Sequence, residues 1–162
     1  MIDVRPATRA DAEWIASRLR AEDRAEVETA TGLSPLEVVP LSFDLSTQCY
    51  TIRHSPSQAD DPPCAIFGVA DDPEVSGLGL VWLLATADVF DVRASVLACA
   101  PHFLNAMSTD YPVGLHNLVD HRNLLHLRWC LKTGFVEVAE REINGYPFHH
   151  IHRPSPQETR SV

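Results

Sequence analysis

Apolar positions along the chain change their spacing from segment to segment, and each spacing predicts an element. Ile2 to Arg5 reads as a short strand. Ala12, Ile15, Ala16 and Leu19 then recur every three or four residues, the stripe of a helix, and Thr8 with Asp11 three positions on spells the capping pair that opens it. Residues 22 to 31 are charged and alanine-rich, Gly32 punctuates them, and Ser34-Pro35-Leu36-Glu37 spells another capping box, with proline where a missing N–H costs nothing. That stretch reads as a second, broken helix.

Cys49 to His54 alternates and holds β-branched residues, and Cys64 to Ala70 reads as its hairpin partner. The polar loop Ser55 to Pro63 between them is expected to be mobile. Leu78 to Ala85 is almost unbroken in its apolar character, as a central strand covered on both faces requires. Val96, Ala100, Phe103 and Met107 mark a helix that Pro101 should kink or divide, and Val113 to Val119 is a further strand. Residues 123 to 133 place Leu124, Leu127 and Leu131 on one helical face, with Leu125 and Trp129 beside it, before Gly134 supplies a left-handed stop. Phe135 to Ala139 and Tyr146 to His152 pair around the turn Asn144-Gly145, and the tail from Pro154 should fray. The predicted order is β, α, α, β, β, β, α, β, α, β, β, a single domain over residues 1–153 with a flexible tail at 154–162.

Composition narrows the partners. With 162 residues, 45% hydrophobic and 22% charged, the chain has the makings of one ordinary globular core. Twenty-two acidic against thirteen basic side chains leave a net charge of -9, which disfavours a nucleic-acid backbone or an anionic membrane surface. No apolar run approaches the length of a membrane span, and no targeting segment is evident, so the expected location is the cytosol. Cys49, Cys64, Cys99 and Cys130 form no C-x-x-C pair and read as buried thiols. Trp14, Trp82 and Trp129 sit in apolar segments and read as core.

Val119-x-x-x-Asn123, with Gly134-Phe135 eleven positions beyond that asparagine, and the opening Ile2-Asp3-Val4-Arg5-Pro6-Ala7-Thr8 resemble the GNAT superfamily of N-acetyltransferases. Val81-Trp82-Leu83-Leu84-Ala85-Thr86, Tyr111-Pro112, Asn117-x-Val119-Asp120-x-x-Asn123 and Arg128-Trp129-x-x-x-x-Gly134-Phe135 are most similar to the GNAT-like proteins of short-tailed bacteriophages, some of which are internal virion proteins. The likeness covers roughly residues 1 to 153. It implies an α/β, GNAT-like fold: a central mixed, mostly antiparallel sheet flanked by helices, with an acyl-CoA cleft closed on one side by Asn123 and the helix after it.

In that superfamily the CoA pyrophosphate is held by a Gln/Arg-x-x-Gly-x-Gly/Ala loop, where the central strand meets the next helix and backbone amides cradle the phosphates. Here the stretch is Thr86-Ala87-Asp88-Val89-Phe90-Asp91-Val92-Arg93, without glycine. Asp88 or Asp91 would serve as a helix cap, and each also adds a carboxylate where the diphosphate would lie. One like-charge pair about 6 Å apart at an effective dielectric near 20 costs roughly 3 kcal/mol, about two orders of magnitude in affinity. The resemblance places the usual tyrosine acid at Cys130, which the residues themselves read as core.

Candidate general bases are Asp120 and His116, with Glu74 and Asp72 behind them. His149, His150 and His152 invite a metal, since His150 and His152 share a strand face, but two histidines do not make a site. His121 and His126, five apart, lie off one helical face, and no metal is expected. Asn123 either caps its helix or bonds across the cleft. The resemblance thus implies a phage-type protein with a degenerate acyl-CoA site. On this view it is non-catalytic, binds no cofactor and makes protein contacts in virion assembly or DNA ejection, in the host-cell cytoplasm or packaged in the particle. The alternative is an active N-acetyltransferase modifying an amine of a host or phage protein. Leu83, Leu84, Ala85, Thr86, Arg93 and Asn123 would then hold acetyl-CoA, and Asp120, His116 and Cys130 would move protons.

Overall fold

The computed structural model describes residues 1–54 and 61–156. Most of the predicted loop Ser55 to Pro63, and the tail from residue 157, lie outside the described residues. The elements are β1 (Asp3–Pro6), α1 (Arg9–Ala16), α2 (Ala21–Thr31), α3 (Pro35–Leu45), β2 (Ser46–Arg53), β3 (Ala65–Asp71), β4 (Leu78–Ala85), α4 (Val89–Ser108), β5 (Gly114–Asp120), α5 (Leu124–Lys132), β6 (Val136–Ile143) and β7 (Tyr146–Arg153). The strands form one sheet in the order β1-β2-β3-β4-β5-β7-β6. Every neighbouring pair is antiparallel except β4 and β5.

Local chemistry explains most boundaries. Both capping boxes form, Thr8 with Asp11 and Ser34 with Glu37. Asn144 and Gly145 both take positive φ, 50° and 84°, which a two-residue turn between right-twisted strands demands. Gly134 leaves α5 at φ 97°. Val81, Leu83 and Ala85 of β4 pack on one sheet face against α4 and α5, while Trp82 and Leu84 pack on the other against α1 to α3. The central strand is therefore covered on both sides, as its apolar run predicts.

Six expectations change. Three helices, not two, precede β2, because α2 is a complete helix whose inward face carries Asp23 and Glu26 as well as Val27. Pro101 does not divide α4, which runs unbroken for 20 residues with the proline on its exposed side, where water can serve the carbonyl left without a donor. Leu124 and Leu131 are 55% and 47% exposed, and α5 instead buries His126 and Trp129. Trp14 is exposed beneath the guanidinium of Arg18, 3.6 Å from its ring centroid. The tail is not frayed from its first residues, since Ser155 is buried. All four cysteines are free thiols, and only Cys64 is fully buried.

Candidate functional site

The parallel pair fixes the site. β4 and β5 are in register only at Leu78 with Gly114, Gly79 with Leu115 and Leu80 with His116, and then diverge. Gly79 permits the close start, since a Cβ there would lie 2.8 Å from side-chain atoms of Leu115 and Tyr111. Beyond Leu80 each strand has backbone groups facing a widening gap, and those groups need partners.

At the far end α2 supplies them. The Ala85 amide donates to Asp23 Oδ2 at 2.9 Å, and the Asp120 amide donates to Glu26 Oε2 at 2.8 Å. Arg20 Nη2 donates to Asp23 Oδ1 at 2.6 Å and to Asn123 Oδ1 at 3.0 Å, while Asn123 Nδ2 donates to Asp23 Oδ1 at 2.9 Å and to Glu26 Oε2 at 3.4 Å. All four side chains are buried. Burial alone would lower the pKa of Arg20, but Asp23 outweighs it and the guanidinium is held charged. Removing such charges from water is tolerated only with this completeness of pairing.

At the near end the gap opens on the α4 and α5 side into an apolar cavity of about 90 Å³. Val81 and Leu83 of β4, Leu97 and Phe103 of α4, and Trp129 and Cys130 of α5 line it, with Asn117, His126 and Thr133 among its polar members.

The turn from β4 into α4 is closed on itself. The Thr86 amide donates to Cys64 O, the Asp88 amide to Thr86 Oγ1, and the amides of Val89, Phe90 and Asp91 to the carbonyls of Thr86, Ala87 and Asp88. Asp88 occupies the N-cap position but makes no side-chain cap bond.

Each residue singled out from the sequence now has a place. Leu83 lines the cavity, whereas Leu84 faces the opposite sheet face and the Ala85 amide is already taken. The Thr86 hydroxyl is engaged with Cys64 O and Asp88 Oδ2, and Arg93 is exposed and donates to Phe90 O. Asn123 does not cap α5 but bonds into the α2 cluster. Asp120 is buried against Arg122, which outweighs the effect of burial and holds the carboxyl below its usual range, so it is a weak base. His116 has both nitrogens occupied, Nε2 2.8 Å from Asp72 Oδ2 and Nδ1 3.1 Å from His150 Nε2. Burial lowers the pKa of His116 more than Asp72 raises it. Glu74 is exposed, and Asp72 is pinned by the amides of Glu74 and Val75.

The histidine strand does not converge. His150 meets His116, His152 Nε2 lies 2.9 Å from Val113 O, and His149 Nδ1 lies 3.0 Å from Glu137 on the opposite face of the hairpin. Glu137, Glu140 and His149 bring ligand atoms within 4.8 Å of one another, a cluster the strand pattern alone did not suggest. The residues that sequence reasoning missed are Arg20, Asp23, Glu26 and His126. Their signal is the polar spacing 20, 23, 26 along one helix face, with a buried asparagine and histidine three apart at 123 and 126.

A seven-stranded sheet with one splayed parallel pair, helices on both faces and a cavity beside the splay defines the class of fold. No protein-family model matches the sequence, and no curated protein matches it. Among solved structures the chain is similar to a GNAT-family acetyltransferase from Streptococcus pneumoniae, with 15% identity and a TM-score of 0.64 over 96% of this chain and 99% of that one. It is also similar to a GNAT-type N-acetyltransferase from Kribbella flavida, with 14% identity and a TM-score of 0.67 over 94% and 97% of the two chains. An aminoglycoside acetyltransferase in complex with coenzyme A matches at 16% identity and a TM-score of 0.61 over 99% of each chain. The chain has the GNAT acetyltransferase fold.

Proposed function

We propose that this chain is a GNAT-fold protein of the short-tailed-phage kind whose nucleotide end is closed, and that it acts as a non-catalytic protein component in virion assembly or DNA ejection. The observation that carries the reading is the filling of the β4 and β5 gap by Asp23 and Glu26, which take the amides of Ala85 and Asp120. A CoA thioester gripped there would displace hydrogen bonds to charged groups worth about 1.5–3 kcal/mol each. It would also bring a diphosphate toward Asp88 and Asp91 at a turn where the amides of Thr86, Asp88, Val89, Phe90 and Asp91 already have acceptors. Exposed Leu36, Leu41 and Leu45 on α3, with Val136 and Val138 on the edge strand β6, support a role in protein contacts. The charge of -9 points away from nucleic acid. Among the described residues no helix is long and apolar enough to cross a membrane.

A second reading, an acyl-CoA-dependent N-acetyltransferase acting on an amine of a host or phage protein, is favoured by the open acyl end of the cleft, where Leu83 and Cys130 line the cavity. Thermal melting with and without millimolar acetyl-CoA separates the two. A ligand at a hundredfold its Kd adds about 2.7 kcal/mol, a shift of several degrees for a chain of this size. The first reading expects an unchanged midpoint and copurification with intact particles. A clear upward shift, or presence only in infected-cell cytosol, contradicts it.

A further inference from the structure

Cys130 and His126 occupy successive turns of α5, and both line the apolar cavity. His126 is only 7% exposed, yet its Nδ1 has no hydrogen-bond partner. An unsatisfied buried polar atom is costly, so an imidazole kept in this state calls for a use. Glu26 Oε1 stands 3.8 Å from that nitrogen. Glu26 is fixed in place because its Oε2 accepts from the Asp120 amide and from Asn123. The order carboxylate, imidazole, thiol is the arrangement by which proteins activate a nucleophile.

We propose that Cys130 is a nucleophilic thiol that accepts a small acyl group from a thioester, with His126 as the base that takes its proton. The Cys130 S–H proton passes to His126, and Sγ attacks the thioester carbonyl carbon. The tetrahedral centre then collapses, the donor's C–S bond breaks, and the proton moves from His126 to the departing thiolate. The products are S-acyl-Cys130 and a free thiol, with no change of oxidation state.

The surroundings suit this step. The cavity of about 90 Å³ has room for a short acyl chain, and its walls are aliphatic and aromatic. Asn117 Oδ1 accepts from the Leu118 amide at 2.7 Å, which leaves the Asn117 NH2 group to polarise the carbonyl. Burial lowers the pKa of His126, but Cys130 and then Glu26 outweigh it and raise that pKa, which makes the imidazole a stronger base and favours the imidazolium–thiolate pair that the proton transfer forms. Cys99 lines the same cavity but donates to Val96 O, and burial pushes its pKa up. Burial likewise pushes Cys49 and Cys64 up, to about 12 and about 11.

The test is to incubate the full chain with S-acetyl-N-acetylcysteamine, a thioester without a nucleotide, and to locate adducts by peptide mass spectrometry. The outcome is then independent of the diphosphate end: a melting shift with acetyl-CoA overturns the closed-end reading and leaves this proposal standing. The expected result is one acetyl group on Cys130, formed at least about tenfold faster than any on Cys99, and none at that position in Cys130→Ser. His126→Gln, checked for folding by circular dichroism, should slow the acylation by roughly a hundredfold, the lower bound of what a positioned base supplies. Equal labelling of Cys99 and Cys130, or a wild-type rate in folded His126→Gln, overturns the proposal. Should that variant fail to fold, the ratio of Cys130 to Cys99 labelling in the wild-type chain decides alone.

Discussion

The two ends of the β4 and β5 gap solve the same problem with opposite chemistry. At the Ala85 and Asp120 end, strand amides that diverge from each other are served by Asp23 and Glu26, and the charges are balanced by Arg20 and Asn123. At the other end the strands open onto Leu83, Phe103 and Trp129, and a cavity remains. A filled polar end is rigid because each member's loss strands another. An apolar end can stay partly empty at modest cost, since voids lose only dispersion contacts. One splayed strand pair can thus be filled by buried charges at one end and left apolar and open at the other.

The sharpest way to break this contrast is Asp23→Ala. It leaves Arg20 buried without its partner and the Ala85 amide without an acceptor, and it should cost about 3–5 kcal/mol in denaturant melts. Asn123→Ala removes bonds to Asp23, Glu26 and Arg20 and should cost about 1–3 kcal/mol by the same measurement. If it costs nothing, the cluster is not the tie between α2 and α5 that its geometry describes.

The pH dependence of the melting midpoint separates two sets of histidines of opposite sign. His116 and His150 are held below the ordinary imidazole pKa, so their contribution is full above about 6.5 and falls as the pH drops below it. His126 is held above that value, so its contribution is full below about 6.5 and is lost as the pH rises through its folded-state pKa. Asp72 and Asp120, held low by their hydrogen-bonding partners, add a separate loss only below about pH 4. His116→Gln should flatten the acid limb and His126→Gln the alkaline limb. Identical profiles in the two variants would contradict the assignment. The smallest effect belongs to the open end. Ala100→Leu, projecting into the cavity, should raise stability by about 0.5–1 kcal/mol, and a loss would mean the space is already filled.

What the sequence revealed follows from which signals are local. Alternation placed β2, the hairpin reading placed its partner β3, the Asn144-Gly145 turn placed β7, and side-chain capping placed α1 and α3, because those effects act within a few residues. The mixed, mostly antiparallel sheet and its cleft were legible through the family resemblance carried by Val119, Asn123 and Gly134. α2 was hidden because its inward face is charged: Asp23 and Glu26 look like solvent-facing residues until Arg20 and Asn123, about 100 positions away from it, meet them. The inward face of α5 was misassigned for a related reason. Three leucines outweighed one histidine in the pattern, while the actual partner of His126 is Glu26 on another helix. Of the candidate site, Leu83 and Cys130 fall in the cavity, whereas Asp120 was singled out as a strand end, His116 as an imidazole and Thr86 through the family resemblance, and the side chains of all three turn out to be engaged by neighbours.

Under the proposed function, carboxylates from α2 and the hydrogen-bonded turn after β4 leave no room for a nucleotide at that end of the cleft. Calorimetric titration of the full chain with coenzyme A tests it most directly. The account predicts no saturable heat up to millimolar ligand, and saturation with a Kd in the micromolar range would contradict it.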